Sequence, residues 1–82
     1  ACAAALAVLD VFREERVLEQ AERQAAQTAA ALDALKAAHP QVGDVRGLGA
    51  MKAIEIVHPA DQAPDMASAG RIVDLSRARG LL

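Results

Sequence analysis

Aromatic side chains are almost absent from this 82-residue sequence, which contains no Trp, no Tyr and a single Phe, Phe12. Without aromatic rings the chain offers no platform on which nucleic-acid bases could stack. Its net charge at pH 7 is −2, and its lysines and arginines are interspersed with acidic residues, so they form no basic stripe that could follow a phosphate backbone. Nucleic acid is therefore not an expected partner.

Cysteine and long hydrophobic runs are also scarce. Cys2 is the only cysteine, so the chain cannot form an internal disulfide, which is typical of a reducing compartment. The apolar run at residues 1–9 is far too short to span a bilayer, and it lacks the basic n-region of a signal peptide. We therefore expect a cytoplasmic location and no membrane association.

The apolar residues that are present can form only a thin core. The hydrophobic fraction is 54%, but alanine supplies much of it and buries little area per residue. A chain of this size buries only about 60–65% of its unfolded surface and is marginally stable alone. The sequence also starts inside an apolar run and stops at Gly80–Leu82, where an apolar strand would begin. We expect it to be a fragment of a larger protein.

The first part of the sequence has a helical pattern, because no Gly or Pro interrupts residues 2–38. One apolar stripe consists of Leu6, Leu9 and Phe12, and a second register follows, made of Leu18, Ala21, Ala25, Thr28, Leu32 and Leu35. The change of register near residues 15–17 predicts two helices that meet at a bend, with one long helix as the alternative. The second stripe also fits a short coiled coil, but alanine at two of its six positions favours packing against a neighbouring element.

The glycines and the apolar residues that follow predict a turn and a strand. His39-Pro40 ends the preceding helix, since proline disfavours the helical conformation of the residue before it and cannot donate a helical hydrogen bond. The glycines between residues 43 and 49 predict a turn region. In residues 50–57 both the odd-numbered and the even-numbered positions are mostly apolar, and these two sets face opposite sides of a strand. The segment therefore predicts a strand that is covered on both faces.

A last helix is predicted at residues 66–79, after a polar loop at residues 58–64. Asp65 suits its N-cap, and Gly80 suits a left-handed stop at its C-terminus. Its inward stripe would consist of Ala69, Ile72, Val73 and Ser76. This mixture of helices and strand predicts an α/β fold, of the kind found in an α+β small domain.

The segment Gly47–Lys52 begins like a dinucleotide-binding fingerprint but does not complete it. Lys52 stands where the third glycine belongs. The segment also follows a helix and enters a strand, whereas the fingerprint follows a strand and enters a helix. Nucleotide binding is therefore not expected. Asp44 and Arg46, which flank the glycines, are predicted to hold the turn and not to bind a ligand.

Histidine and cysteine do not form a metal site in the sequence. His39 and His58 have no metal-ligand spacing with each other or with Cys2, and His58 together with Asp61 would supply only two ligands. Both histidines are expected to face solvent at the ends of elements. Cys2 lies among alanines, where a buried and inert thiol is expected. No metal ligand is predicted.

The lysines and serines do not indicate catalysis either. A Schiff-base lysine needs an enclosed site, and neither Lys36, in the polar end of a helix, nor Lys52, in the predicted strand, indicates one. Lys52 is expected to extend its ammonium group to the strand edge. Ser68 and Ser76 belong to no serine–histidine–acid arrangement. The sequence therefore predicts no catalytic and no cofactor-binding residue.

Three blocks of the sequence resemble class III aminotransferases in their order and spacing. They are residues 1–11 (ACAAALAVLDV), residues 43–51 (GDVRGLGAM) and residues 53–55 (AIE). Within that family they are most similar to the members that act on 4-aminobutyrate, and the resemblance runs over nearly the whole chain. Gly80–Leu82 also resembles the residues with which the family's next strand begins.

The resemblance implies a fold type I enzyme that depends on pyridoxal 5′-phosphate (PLP) and is usually a homodimer. Residues 1–38 would be a helical segment leading into the C-terminal small domain, and residues 39–82 an incomplete α/β part of that domain. In this family the PLP-bearing lysine and the phosphate-binding threonine lie upstream of the position of Ala1, and the substrate-binding arginine lies downstream of that of Leu82. No site residue is therefore assigned to this chain.

The function implied for the parent enzyme is transfer of an amino group from 4-aminobutyrate or a similar ω-amino acid to a 2-oxo acid. The 82-residue segment would be architectural, and we expect it neither to bind PLP tightly nor to transaminate alone. Two alternatives remain: a class III member that acts on ornithine, acetylornithine or diaminobutyrate, and a non-catalytic helical interaction module that uses the second apolar stripe.

Two residues depart from the family's pattern. Arg16 stands where relatives often have a helix-breaking glycine, so the position of the predicted bend depends on how this arginine is accommodated. Lys52 stands where relatives usually have an apolar residue, which bears on whether the strand is covered.

Overall fold

The computed structural model describes residues 1–81, which form three helices and one two-stranded antiparallel sheet. The elements are α1 (Cys2–Glu14), α2 (Val17–Ala38), β1 (Val42–Leu48), β2 (Met51–Ile56) and α3 (Met66–Ala78). The prediction of a mixed helix and strand fold is confirmed at the level of a small α+β unit. The strand expected to begin at Gly80–Leu82 lies partly outside the described residues. Gly80 is in a turn, and Leu81 belongs to no element.

The predicted bend between two helices is confirmed and lies at Arg16. Arg16 adopts the left-handed conformation, with φ 52° and ψ 46°, between the last residue of α1 and the first of α2. This conformation costs a non-glycine residue about 1–2 kcal/mol. The Arg16 guanidinium pairs with the carboxylate of Glu19, but the pair is exposed and contributes at most about 1 kcal/mol.

The segment predicted as a turn region is mainly a strand, which corrects the sequence interpretation. β1 covers residues 42–48 and pairs in antiparallel register with β2. The glycines and charged residues of β1 have low intrinsic strand propensity, so the cross-strand hydrogen bonds and the packing of the pair decide its conformation. The predicted strand at residues 50–57 is confirmed as β2, but Ala50 lies in the turn, and Val57 forms an isolated bridge with Pro64.

Glycine is required at two positions of the hairpin that β1 and β2 form. Gly49 and Ala50 make the two-residue connection, and the φ of +56° at Gly49 fits a type II′ turn, which places glycine first. At Gly47 φ is +142°, and a Cβ atom there would lie 2.0 Å from the carbonyl oxygen of Met51. Residues with a side chain rarely adopt either of these two backbone conformations.

The hairpin is the element on which both α2 and α3 pack. α2 contacts both strands, and α3 contacts β2. Among residues 1–81 two side chains are buried, Val42 and Val57, with exposed fractions of 9% and 4%. The prediction that the strand is covered on both faces is wrong for the described chain, because Met51 is 82% exposed and Ala53 is also exposed. Only two helices lie against this small sheet, and they leave the hairpin tip bare.

Both ends of α3 are defined by hydrogen bonds that the sequence predicts. The carboxylate of Asp65 accepts a hydrogen bond from the backbone N–H of Ser68, as an N-cap does. At the other end the N–H of Gly80 donates to the carbonyl of Arg77, and the N–H of Leu81 donates to that of Ser76. This pair of bonds is the Schellman motif, so Gly80 is confirmed as the helix stop.

The predicted apolar stripes are only partly covered. In α2 the half-buried residues are Val17, Ala21, Ala25, Ala29 and Leu32. The stripe therefore starts one residue earlier than predicted, because the helix begins anew after Arg16, and Leu18 is left 67% exposed. In α3, Ala69 and Ser76 are half-buried and Ile72 and Val73 are exposed.

The described chain is elongated, with principal extents of 52 × 23 × 22 Å. Of the other elements α1 contacts only α2, and its apolar residues face solvent: Leu6, Val8, Leu9, Val11 and Phe12 are all 42–63% exposed. Within residues 1–81 no further element covers these apolar residues of α1. No helix in this part of the chain combines the length and the hydropathy needed to cross a bilayer.

Substitution of Gly47 by alanine tests the close approach in the hairpin. We expect Gly47→Ala to lower the free energy of unfolding by at least about 2 kcal/mol, because the new Cβ clashes with the Met51 carbonyl and alanine disfavours positive φ. Gly70→Ala is the matched control, since nothing lies within 4 Å of a Cβ there and alanine favours the helix by about 0.5–1 kcal/mol. Urea unfolding of the full-length protein, followed by circular dichroism, measures both. Equal midpoints for the two variants would contradict the prediction.

Candidate functional site

The residues considered for metal or nucleophilic chemistry lie apart from one another. Within residues 1–81 no group of three His, Cys, Asp or Glu side chains could hold a metal ion. His39 is the C-cap residue of α2 and His58 follows β2, and both are exposed at element ends as expected. Cys2 is exposed, which corrects the expectation of a buried thiol. The physical reason is that α1 has no covering layer in the described chain.

A polar contact joins the loop after β2 to the start of α3. Asp65 caps the helix with one carboxylate oxygen, which lies 3.0 Å from the Ser68 nitrogen, and its other oxygen lies 3.6 Å from Nδ1 of His58. The backbone N–H and the hydroxyl of Ser68, and then His58, hold the pKa of Asp65 below its ordinary value of 3.8. Because this carboxylate fills the N-terminus of α3, the helix end does not offer a site for a phosphate or another anion.

The loop itself is closed by its own hydrogen bonds. The N–H of His58 donates to the carbonyl of Ala63, and the N–H of Gln62 donates to the carbonyl of His58, each at 2.8 Å. Asp61 accepts from the N–H of Ala63. His58 and Asp61 therefore each have a structural role here, and they do not form a shared ligand site.

Asp44, Arg46 and Glu55 form a charge cluster on one face of the hairpin. Asp44 and Glu55 are directly opposite each other in the register, and Nη1 of Arg46 lies 2.9 Å from Asp44 and 3.3 Å from Glu55. The hydrogen bond from Arg46 lowers the pKa of Asp44, and both carboxylates raise the pKa of Arg46. Both carboxylates share the one guanidinium of Arg46, so the cluster links the two strands of the hairpin, in agreement with the prediction that Asp44 and Arg46 hold this segment.

Lys52 occupies the opposite face of the same hairpin. It is half-buried, and its Nζ lies 3.4 Å from the carbonyl oxygen of Gly47 on the paired strand. This position agrees with a lysine whose stem covers apolar surface while its ammonium group reaches the strand edge. The amine of Lys52 is not enclosed, whereas Schiff-base chemistry requires an enclosed amine. The segment 47–52 is a hairpin turn and not a strand-to-helix turn, so the exclusion of a dinucleotide fingerprint holds in the structure as well.

An apolar groove of about 430 Å³ lies between α2, the hairpin and α3. It is lined by Leu35, His39, Gln41, Val42, Ile54, Ile56, Ser68 and Ile72. Its size suits a small ligand, but none of its side chains carries a permanent charge that could hold a phosphate or a carboxylate. We refer to it as the hairpin groove. Its chemistry suits the packing of further apolar side chains.

The hairpin groove is not predictable from a sequence interpretation in which residues 42–48 are a turn. Val42 enters the groove only as part of β1, and Leu35, Ile54 and Ile72 meet there through contacts between three elements. One signal was available: Val42 and Val45 precede a two-residue glycine turn and a strand, which is the pattern of a hairpin.

Comparison with known proteins confirms the family resemblance seen in the sequence. The model of the class-III aminotransferase family matches residues 1–82. The chain is 40% identical over 82 residues to the 5-aminovalerate aminotransferase DavT of Pseudomonas putida, covering 100% of this chain and 19% of the relative. It is 43% identical over 83 residues to the 4-aminobutyrate aminotransferase GabT of Escherichia coli, covering 100% of this chain and 20% of that relative. A probable 4-aminobutyrate aminotransferase of Bacillus subtilis is 43% identical over 82 residues, with 99% of this chain and 19% of the relative covered. The chain therefore spans about a fifth of the length of these relatives.

Acidification tests the Asp65 cap. The pKa of Asp65 is lower in the folded chain than in the unfolded chain, so the stabilisation is complete above the unfolded value, near pH 4, and is lost as the pH falls through the folded value. We expect the exchange protection of the Ser68 amide to fall over that range in the full-length protein, and this pH dependence to disappear in Asp65→Asn. Asp33→Asn, on the exposed side of α2, is the control. A wild-type pH profile in Asp65→Asn would contradict the assignment.

Removal of Arg46 tests the charge cluster. In Arg46→Met the facing carboxylates of Asp44 and Glu55 lose their shared partner, so we expect faster hydrogen exchange of the β1 and β2 amides at pH 7. Adding Glu55→Gln removes the repulsion and should restore most of the protection. Arg23→Met, at an exposed position of α2, serves as the control for loss of one positive charge. The interpretation fails if the second substitution restores nothing.

Proposed function

This chain belongs to the class III aminotransferases, and on that premise we propose that residues 1–82 are an architectural part of an enzyme acting on ω-amino acids. The reaction we propose moves an amino group from 4-aminobutyrate or a similar ω-amino acid to a 2-oxo acid. The observation that carries the proposal is the match to the family over the whole chain, together with 40–43% identity to relatives named for 5-aminovalerate and 4-aminobutyrate. Both named substrates carry their amine at the end remote from the carboxylate.

We propose that the segment lies in the C-terminal small domain of a fold type I subunit. Residues 1–38 would form the helical approach to that domain, and residues 39–82 an incomplete α/β part of it. The exposed apolar face of α1 and the open hairpin groove support this assignment, because such surfaces stabilise a protein only when they are buried against further structure. We also propose that the parent enzyme is a cytoplasmic homodimer.

The described residues do not fit PLP, although class III aminotransferases use it. Lys36 is exposed at the end of α2, Lys52 is bonded to the hairpin backbone, and the N-terminus of α3 is filled by Asp65. No enclosed lysine and no cradle for the cofactor phosphate is present in residues 1–81. We therefore place the cofactor site of the parent enzyme in other parts of its chain, where PLP would hold the amino group and electrons between the half-reactions.

This segment's contribution is support for the small domain. The hairpin provides a floor on which α2 and α3 are fixed, and Asp65 and Gly80 set where α3 begins and ends. A class III relative that acts on ornithine, acetylornithine or diaminobutyrate is the alternative within the family, because we propose that the substrate-binding residues lie outside this segment. The relatives' names favour the ω-amino acid reading. The helical interaction module is not favoured, since the stripe of α2 packs on the hairpin.

The proposed activity is tested on the full-length protein that contains residues 1–82. We expect a visible cofactor absorbance band that survives dialysis, and consumption of 4-aminobutyrate and 5-aminovalerate that depends on an added 2-oxo acid. We expect their kcat/KM to exceed that of ornithine at least about tenfold, corresponding to about 1.4 kcal/mol in transition-state binding.

The isolated 82-residue chain is the matched control for the architectural role. It should show neither the absorbance band after dialysis nor amino transfer. A band that persists in the isolated chain would contradict the architectural role, and a full-length protein without a band would contradict the proposed enzyme.

A further inference from the structure

We draw no further inference here: the strongest candidate, the apolar hairpin groove between α2, the hairpin and α3, carries none because nothing in the structure shows what covers it.

Discussion

The antiparallel pairing of β1 with β2 is the interaction on which the arrangement of this chain depends. Apart from the α1–α2 junction, every contact between elements in residues 1–81 involves the hairpin. Its pairing in turn requires Gly47, where the backbone passes too close to the Met51 carbonyl for any side chain. The charge cluster around Arg46 then fixes one face of the hairpin, and the apolar face becomes the floor of the groove.

The hairpin organises more apolar surface than the described chain can bury. Within residues 1–81 the buried hydrophobic residues are Val42 in β1 and Val57 just after β2, while the groove stays open and the apolar side of α1 faces solvent. A chain that matches about a fifth of its relatives' length is expected to have this imbalance, since the remaining structure supplies the covering surfaces. The polar clusters are structural for another reason, which is that their charged side chains already contact one another.

Local signals in the sequence predicted the elements whose ends are set by nearby residues. Asp65 and Gly80 defined α3 because capping acts within one turn of a helix. The loss of register near residues 15–17 located the bend, although only the structure places the left-handed residue at Arg16. β1 was missed because its glycines and charges read locally as a turn, and its strand conformation comes from pairing with β2.

The sequence by itself determined the family and the helices, and it predicted no catalytic, cofactor or metal residue. These follow from residue order, periodicity and chemical type, which need no knowledge of distant contacts. Tertiary structure alone decided that residues 42–48 form a strand, that Arg46 binds two carboxylates, and that three elements enclose a groove. It also placed Cys2 in solvent. The reason is physical: pairing, burial and ion contacts depend on residues that the chain brings together from far apart.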